Sequence, residues 1–323
     1  MLWGVALLSF AVAAALAWLL VTRFARFALD QPNERSLHER PVPRTGGLAV
    51  LAGIAVSAVA FDSALWLPLV LALGLAALSL ADDLRPLPTG VRLAAHLAAA
   101  GFIAWFILSP MHPLELAVVV LAIAWITNLY NFMDGSDGLA GGMAAIGFGA
   151  YALAGGLAGD EALAATSLAV AAAALGFLLF NFHPARIFMG DVGSIPLGFL
   201  AGALGIVGWR DDVWPFWFPV LAFGPFIGDA TITLARRALR RERVWEAHRE
   251  HYYQRLVRLG FGHRGTALLG YGLMLFCAAA ALAGRDQPGA VQLAAFAVAS
   301  AVLGALAAWI DLRWRRAGAD KPA

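Results

Sequence analysis

The sequence predicts an all-α fold: a polytopic integral membrane bundle of about eleven transmembrane helices, with the N-terminus outside and the C-terminus in the cytoplasm. Three observations predict it. Of the 323 residues, 61% are hydrophobic and only 14% charged, whereas a soluble domain carries about a quarter charged residues. The apolar residues fall into runs long enough to cross a hydrocarbon core about 30 Å thick, which takes roughly 17 to 25 residues. The basic residues also alternate by side. With the N-terminus outside, every Lys and Arg except Arg210 and Arg285 falls in a cytoplasmic loop, at the edge of one (Arg92) or in the C-terminal tail, and a miscount of one span would scramble this positive-inside pattern. The pI near 9.0 accompanies a net charge of only +2. Basic residues that adjoin spans are explained by topology, so no nucleic-acid partner is expected.

The first run, 2–22, sits where a signal peptide would, but no basic residue precedes it and Arg23 and Arg26 follow it, so it reads as a retained helix. The further runs are 46–61, 64–81, 91–109, 114–130, 138–157, 161–181, 193–208, 213–234, 266–284 and 289–311. Several are short, so tilt and bundle packing must set their depth. Glycines recur, as over 198–208, where helices pack closely without a hydrophobic drive between them. Almost nothing is left for a soluble domain, and the whole of 1–323 reads as one transmembrane domain with a long cytoplasmic loop at 235–265. Cys277, the only cysteine, lies in an apolar run, so disulfides and cysteine metal sites are excluded.

The cytoplasmic loops are the longer ones, and chemistry is sought there. The first, from Asp30 to Gly47, is polar, stiffened by Pro41 and Pro43, and carries Arg44; it reads equally well as a covering loop. Span 3 ends in Asp82-Asp83-Leu84-Arg85. Acids at a helix C-terminus oppose the macrodipole and adjacent carboxylates repel, so the pair wants a cation; a polar stop at the membrane interface is the plainer reading. Span 5 runs into Asn128, Asn131, Asp134 and Asp137, polar side chains spaced by three that would line one side of a helical or 3₁₀ segment. Such oxygen ligands suit magnesium. A helix exit with Asp137 capping span 6 would account for Gly135 and Gly138 but not for both asparagines. Between spans 7 and 8, Gly190-Asp191-Val192-Gly193-Ser194 is either a capped helix start or a further acidic motif, and His183-Pro184 reads as a simple turn.

Asp229 lies inside span 9, where a carboxylate is costly; it is either functional or paired with an arginine such as Arg236. The arginine cluster at 236–243 reads mainly as membrane anchoring and attraction to anionic lipid. Beyond it, His248, His251 and Arg255, spaced by three and four, are expected on one face of a short helix, offering donors to phosphate oxygens.

Asp82-Asp83, then Asn128-x-x-Asn131-x-x-Asp134-Gly-x-Asp137-Gly, then Phe188-Met189-Gly190-Asp191-x-Gly193-Ser194 and a late histidine motif follow in an order that resembles the polyprenyl-phosphate N-acetylhexosamine-1-phosphate transferases. Pro43-Arg44-x-Gly46-Gly47 and His248-Arg249-Glu250-His251-Tyr252-Tyr253-Gln254-Arg255 make it most similar to the bacterial family 4 enzymes that begin O-antigen or related glycan synthesis. The motifs cover a minor part of the chain, while the span pattern matches throughout. The resemblance implies a multi-pass enzyme of the bacterial inner membrane, its N-terminus periplasmic, that transfers N-acetylhexosamine-1-phosphate from a UDP-sugar to undecaprenyl phosphate and releases UMP. It implies Mg2+, with Mn2+ as a substitute, on Asp191 first and Asn131 second. It places Asp82 and Asp83 at the lipid phosphate with Asp82 as base, and makes Asn128, Asp134 and Asp137 the lining of the nucleotide-sugar site. It sets His248 and His251 where phosphate is bound, with Arg255 and Arg44 as further substrate contacts. Arg85 where the peptidoglycan-precursor branch has lysine, and the lack of three consecutive histidines, argue against a muramyl-pentapeptide substrate. Oligomeric state is open, a homodimer being compatible with the chain.

A proton-coupled secondary transporter is the rival from another class, but it would place ionisable groups near the bilayer midplane and tends to show internal repeats, of which none is evident here. A glycosyltransferase with a lipid-bound donor would carry its acids and a large domain outside, and the outer loops are too short for that.

Overall fold

The computed structural model describes residues 1–24, 28–30, 41–244 and 248–318. Helices dominate: α1 (Leu2–Thr22), α2 (Gly46–Ala60), α3 (Trp66–Leu84), α4 (Thr89–Leu108), α5 (Pro113–Phe132), α6 (Leu139–Ala158), α7 (Glu161–Asn181), α8 (Asp191–Arg210), α9 (Trp217–Ala222), α10 (Gly224–Leu239), α11 (Tyr252–Leu256), α12 (Gly262–Gly284) and α13 (Gly289–Arg316). Nine of the described helices are long and apolar enough to cross a membrane, and α2 is a shorter apolar helix. The expected spans lie within a few residues of these helices, with one correction.

The ninth span is not continuous. Phe223 leaves helical geometry at φ −103°, ψ 16°, which splits it into α9, six residues, and α10, sixteen. The reason lies two residues on, where Pro225 has no amide to bond the Leu221 carbonyl; in the first turn of α10 that same lack costs nothing. The first cytoplasmic loop adds the only strands among the described residues, β1 (Leu29–Asp30) and β2 (Val42–Pro43), paired antiparallel with Leu29 opposite Pro43. Residues 31–40 of that loop lie outside the described residues.

The bundle is built around α8, which is buried along almost its whole length. Its contact with α5 is close because Gly198 has no side chain: a Cβ there would stand 2.7 Å from the Ile126 carbonyl oxygen. Without a hydrophobic drive between helices in lipid, such close packing and interhelical hydrogen bonds hold the bundle. Ser9 Oγ donates to the Ala169 carbonyl at 2.7 Å and Ser57 Oγ to that of Val5 at 3.2 Å, tying α1 to α7 and α2. On the outer side of the site, Phe148, Tyr151, Phe218 and Phe223 are fully buried and stack edge-on or tilted, with centroids 5.3–6.1 Å apart. The loops after α1, α3, α5, α7 and α10, with the start of α12, gather at one end of the bundle, and short turns close the other.

Candidate active site

Two loops are zipped together at the centre of that end. Phe188 N–H donates to the Pro43 carbonyl at 2.7 Å, and the amides of Gly46 and Gly47 donate to the carbonyls of Phe188 and Met189 at 2.8 and 2.9 Å. The zipper brings Arg44 to Asp83, 3.1 Å from its Oδ1. It also fixes the turn at Gly190, whose φ of 70° suits glycine, and so places Asp191 at the first position of α8. A carboxylate is favoured at a helix N-terminus by the macrodipole.

Around Asp191 the acids converge. Asn131, in the last turn of α5, donates its amide to Asp191 Oδ1 at 2.8 Å and to Ser194 Oγ at 2.9 Å. Burial, with the charge of Asp191 added, pushes the Asp134 carboxyl well above its ordinary range, and the Gly190 amide opposes this only in part. Asp83 feels the charges of Asp191 and Asp82 as well as that of Arg44. Asp82 is held apart: Arg92 donates to its Oδ2 at 2.9 Å and the Leu87 amide to its Oδ1 at 2.6 Å. The cation that the acidic pair wants is therefore present twice, as Arg44 and Arg92.

The polar row expected along one side does not persist. Helix α5 ends at Phe132, and the chain turns through Gly135 and Gly138, the latter at φ 75°. Asn131 and Asp134 lie toward Asp191, but Asn128 bonds back to the Ala124 carbonyl at 2.7 Å and across to His96 Nδ1 at 3.2 Å. Asp137 turns the other way, its Oδ2 2.7 Å from His183 Nδ1 and 3.1 Å from the Ala185 amide, its Oδ1 3.7 Å from His263 Nδ1. It does not cap α6, whose N-cap is Gly138. His183 is accordingly more than a turn residue: its ring stacks on that of His263 at 5.7 Å. Asn181 joins the two loops, accepting from the Gly138 amide at 3.0 Å and donating to the Ile187 carbonyl at 2.9 Å.

The histidine segment differs from its expected geometry. His248 and His251 precede α11, with rings 4.8 Å apart, and only Arg255 is helical. Asp229 gathers the N-terminus of α11, accepting from His251 Nδ1 at 3.1 Å and from the Tyr252 and Tyr253 amides at 2.9 and 3.0 Å, and the helix runs on into a π-helical turn at Val257–Phe261. Asp229 is thus not paired with Arg236, which bonds Asp311 at 2.8 Å. Arg255 also turns to Asp311, at 2.9 Å, and is 11% exposed. Tyr253 docks the segment on the acidic loop through the Phe132 carbonyl at 3.2 Å. Burial, then His251 and Arg237, hold His248 down to about 4, so its imidazole is neutral near pH 7. Its Nδ1 accepts from the Glu250 amide at 3.3 Å, which leaves the proton on Nε2.

Sequence reasoning missed Arg92, His96, His263 and Asp311. Arg92 and His96 stand at i and i+4 on one face of α4, a signal that was available. His263 lies between Gly260 and Arg264, before the apolar run, and only its fold neighbours mark it.

Among the described residues no three His, Cys, Asp or Glu side chains converge closely enough to cage a metal. Magnesium does not require that: it binds through one or two carboxylates, waters and substrate phosphates. A carboxylate with an amide beside it and two further acids nearby fits that use.

The sequence profile described as Glycosyl transferase family 4 matches residues 65–209. A probable undecaprenyl-phosphate N-acetylglucosaminyl 1-phosphate transferase of Bacillus subtilis (strain 168) is 33% identical over 263 residues, 76% of this chain and 74% of its own. The chain belongs to glycosyl transferase family 4. A decaprenyl-phosphate N-acetylglucosaminephosphotransferase of Mycolicibacterium smegmatis is 31% identical, covering 83% of this chain and 79% of its own. A phospho-N-acetylmuramoyl-pentapeptide-transferase of Shouchella clausii is 31% identical over 63% of this chain and 74% of its own. Membership carries the coarse activity, that of a multi-pass membrane sugar-phosphate transferase. The matched region holds Asp82, Asp83, Asn128, Asn131, Asp134, Asp137 and Asp191, whereas Arg44 and the histidine segment lie outside it.

Proposed function

We propose that the protein transfers N-acetylhexosamine-1-phosphate from a UDP-sugar to undecaprenyl phosphate on the cytoplasmic face of the bacterial inner membrane, releasing UMP and starting a lipid-linked envelope glycan of the O-antigen kind. The observation that carries this is the convergence of Asp83, Asp134 and Asp191 with Asn131 and the cations Arg44 and Arg92 at one end of a membrane bundle. Phosphoryl transfer needs little covalent chemistry from the protein and much neutralisation and alignment of charge. The polyprenyl phosphates and N-acetylglucosamine in the relatives' names support the acceptor and sugar class.

In this reading an oxygen of the lipid phosphate attacks the sugar-bearing phosphorus of the UDP-sugar. The bond to the bridging oxygen breaks, and UMP leaves with that oxygen. Asp191 and Asn131 would hold Mg2+, or Mn2+ in its place, which when bound neutralises charge on the diphosphate. Asp83, rather than Asp82, is the base that takes a proton from the lipid phosphate, because Asp82 is committed to Arg92 and the Leu87 amide. His248 donates from Nε2 as a neutral group, and Asp229 fixes the His251 ring through Nδ1, leaving Nε2 as the nitrogen offered to phosphate. The isoprenoid tail fits an apolar groove of about 700 Å3 between α5, α8 and α9, lined by Ile126 two residues from Asn128.

The test is UMP release by purified protein with magnesium, undecaprenyl phosphate and a panel of UDP-sugars, UDP-GlcNAc among them. Release from at least one sugar is expected, abolished by Asp191→Asn and lowered more by Asp83→Asn than by Asp82→Asn. No UMP from any sugar, or undiminished turnover in Asp191→Asn, would overturn the reading.

A further inference from the structure

We infer that Asp311, on the last helix, is a positioning residue for the histidine segment, acting through Arg255 and Tyr252; this rests on the reading of His251 as a phosphate-facing group. Helix α11 runs on into a single π-helical turn, Val257–Phe261, which breaks at Gly260 (φ 95°); so short a helical run depends on tertiary contacts, since nucleation is unfavourable. Helix α11 is gripped by carboxylates from two other helices. Asp229 of α10 holds its first amides and the His251 ring. Asp311 of α13 takes Arg255 Nη1 at 2.9 Å and the Tyr252 hydroxyl at 3.3 Å.

The second grip is closed by its neighbours. Arg236 lies two turns beyond Asp229, on the same face of α10, and donates to Asp311 at 2.8 Å. The Arg255 guanidinium also lies 5.5 Å from the ring centres of Tyr252 and Trp314. Asp311 is 14% exposed and therefore satisfies two arginines largely away from water, where loss of one partner leaves an uncompensated charge. Along α13 few other residues are buried, namely Ala299, Ala307, Ile310 and Trp314. The inner end of an otherwise loosely covered helix is thus fastened to the segment that carries the histidines. Arg255 is used by this clasp and is not available as a phosphate ligand.

A role confined to fastening α13 would also lower stability, so the experiment separates the two. Asp311→Asn is measured alone and in the His251→Ala background, with Asp311→Glu as the conservative rescue. Turnover in Asp311→Asn should fall roughly 10- to 100-fold, the scale of a misplaced catalytic contact, and Asp311→Glu should regain part of it. In His251→Ala the same change should cost less than about twofold, because groups acting through one another are not additive. Hydrogen exchange should speed up in residues 248–256 and stay unchanged in α6–α8. Equal loss in both backgrounds, or unchanged exchange in 248–256, overturns the inference. If Asp311→Asn does not fold, Arg255→Gln breaks the same bond from the other side and is judged by the same exchange. Should the wild type release no UMP, the proposed function fails while the exchange measurement still decides the clasp.

Discussion

His248 shows how a single side chain is set by its surroundings. Its imidazole is held down to about 4 by burial first, then by His251 and Arg237, against an ordinary value of 6.5. The unfolded chain therefore takes up a proton before the folded one does. Stability from this group is fully present above about 6.5 and is lost as pH falls toward about 4. The melting temperature in detergent should consequently drop more between pH 7.5 and pH 5 for wild type than for His248→Gln; equal drops would show that His248 is not held neutral. The residues of the site were legible to different degrees for physical reasons. Carboxylates at the end of an apolar helix announce a need for cations, so Asp82 and Asp83 could be found from sequence. Which cations answer could not, because Arg44 and Arg92 arrive from two other elements. Asp311 carries no local signal, since both of its arginines lie more than fifty residues away in sequence.

At the level of elements, the contact of α2 with the start of α8 decides where Asp191 sits. A Cβ on Gly47 would stand 2.3 Å from the Gly193 nitrogen and 2.9 Å from the Met189 carbonyl oxygen, backbone atoms that cannot step aside. Gly53, farther along the same helix, is as tight against the Ser9 carbonyl of α1, at 2.5 Å, but lies away from the site. Overpacking of either kind costs about 1–3 kcal/mol. Gly47→Ala and Gly53→Ala should therefore lower the melting temperature comparably, while only Gly47→Ala lowers turnover by tenfold or more, as read from UMP release against a thermal melt; similar turnover losses would detach the zipper from the site. Helix positions were readable because runs of apolar residues have a length set by the bilayer. The break at Phe223 was also signalled, by Pro219 and Pro225 within one run, but hydrophobicity alone passes over it. The start of α11 could not be read, because Asp229, which takes its first amides, comes from another element.

For the whole molecule, the alternation of basic residues predicts that the acidic end is cytoplasmic. Cys277 is buried, so Cys277→Ser gives a background for labelling. In intact cells, Asp160→Cys should react with a membrane-impermeant maleimide and Arg241→Cys should not; the opposite pattern would invert the topology. The gathering of the acidic loops at one end was readable from that alternation, whereas their pairwise contacts were not, since Asn131 and Asp191 meet only after α5 and α8 pack. The buried rings of Phe148, Tyr151, Phe218 and Phe223 carry one more consequence. They interlock α6 with α9 and Phe223 as an apolar plug in the interior of the bundle. Under the proposed function, a lipid that receives a sugar headgroup at the acidic end therefore keeps that headgroup on the same face of the membrane.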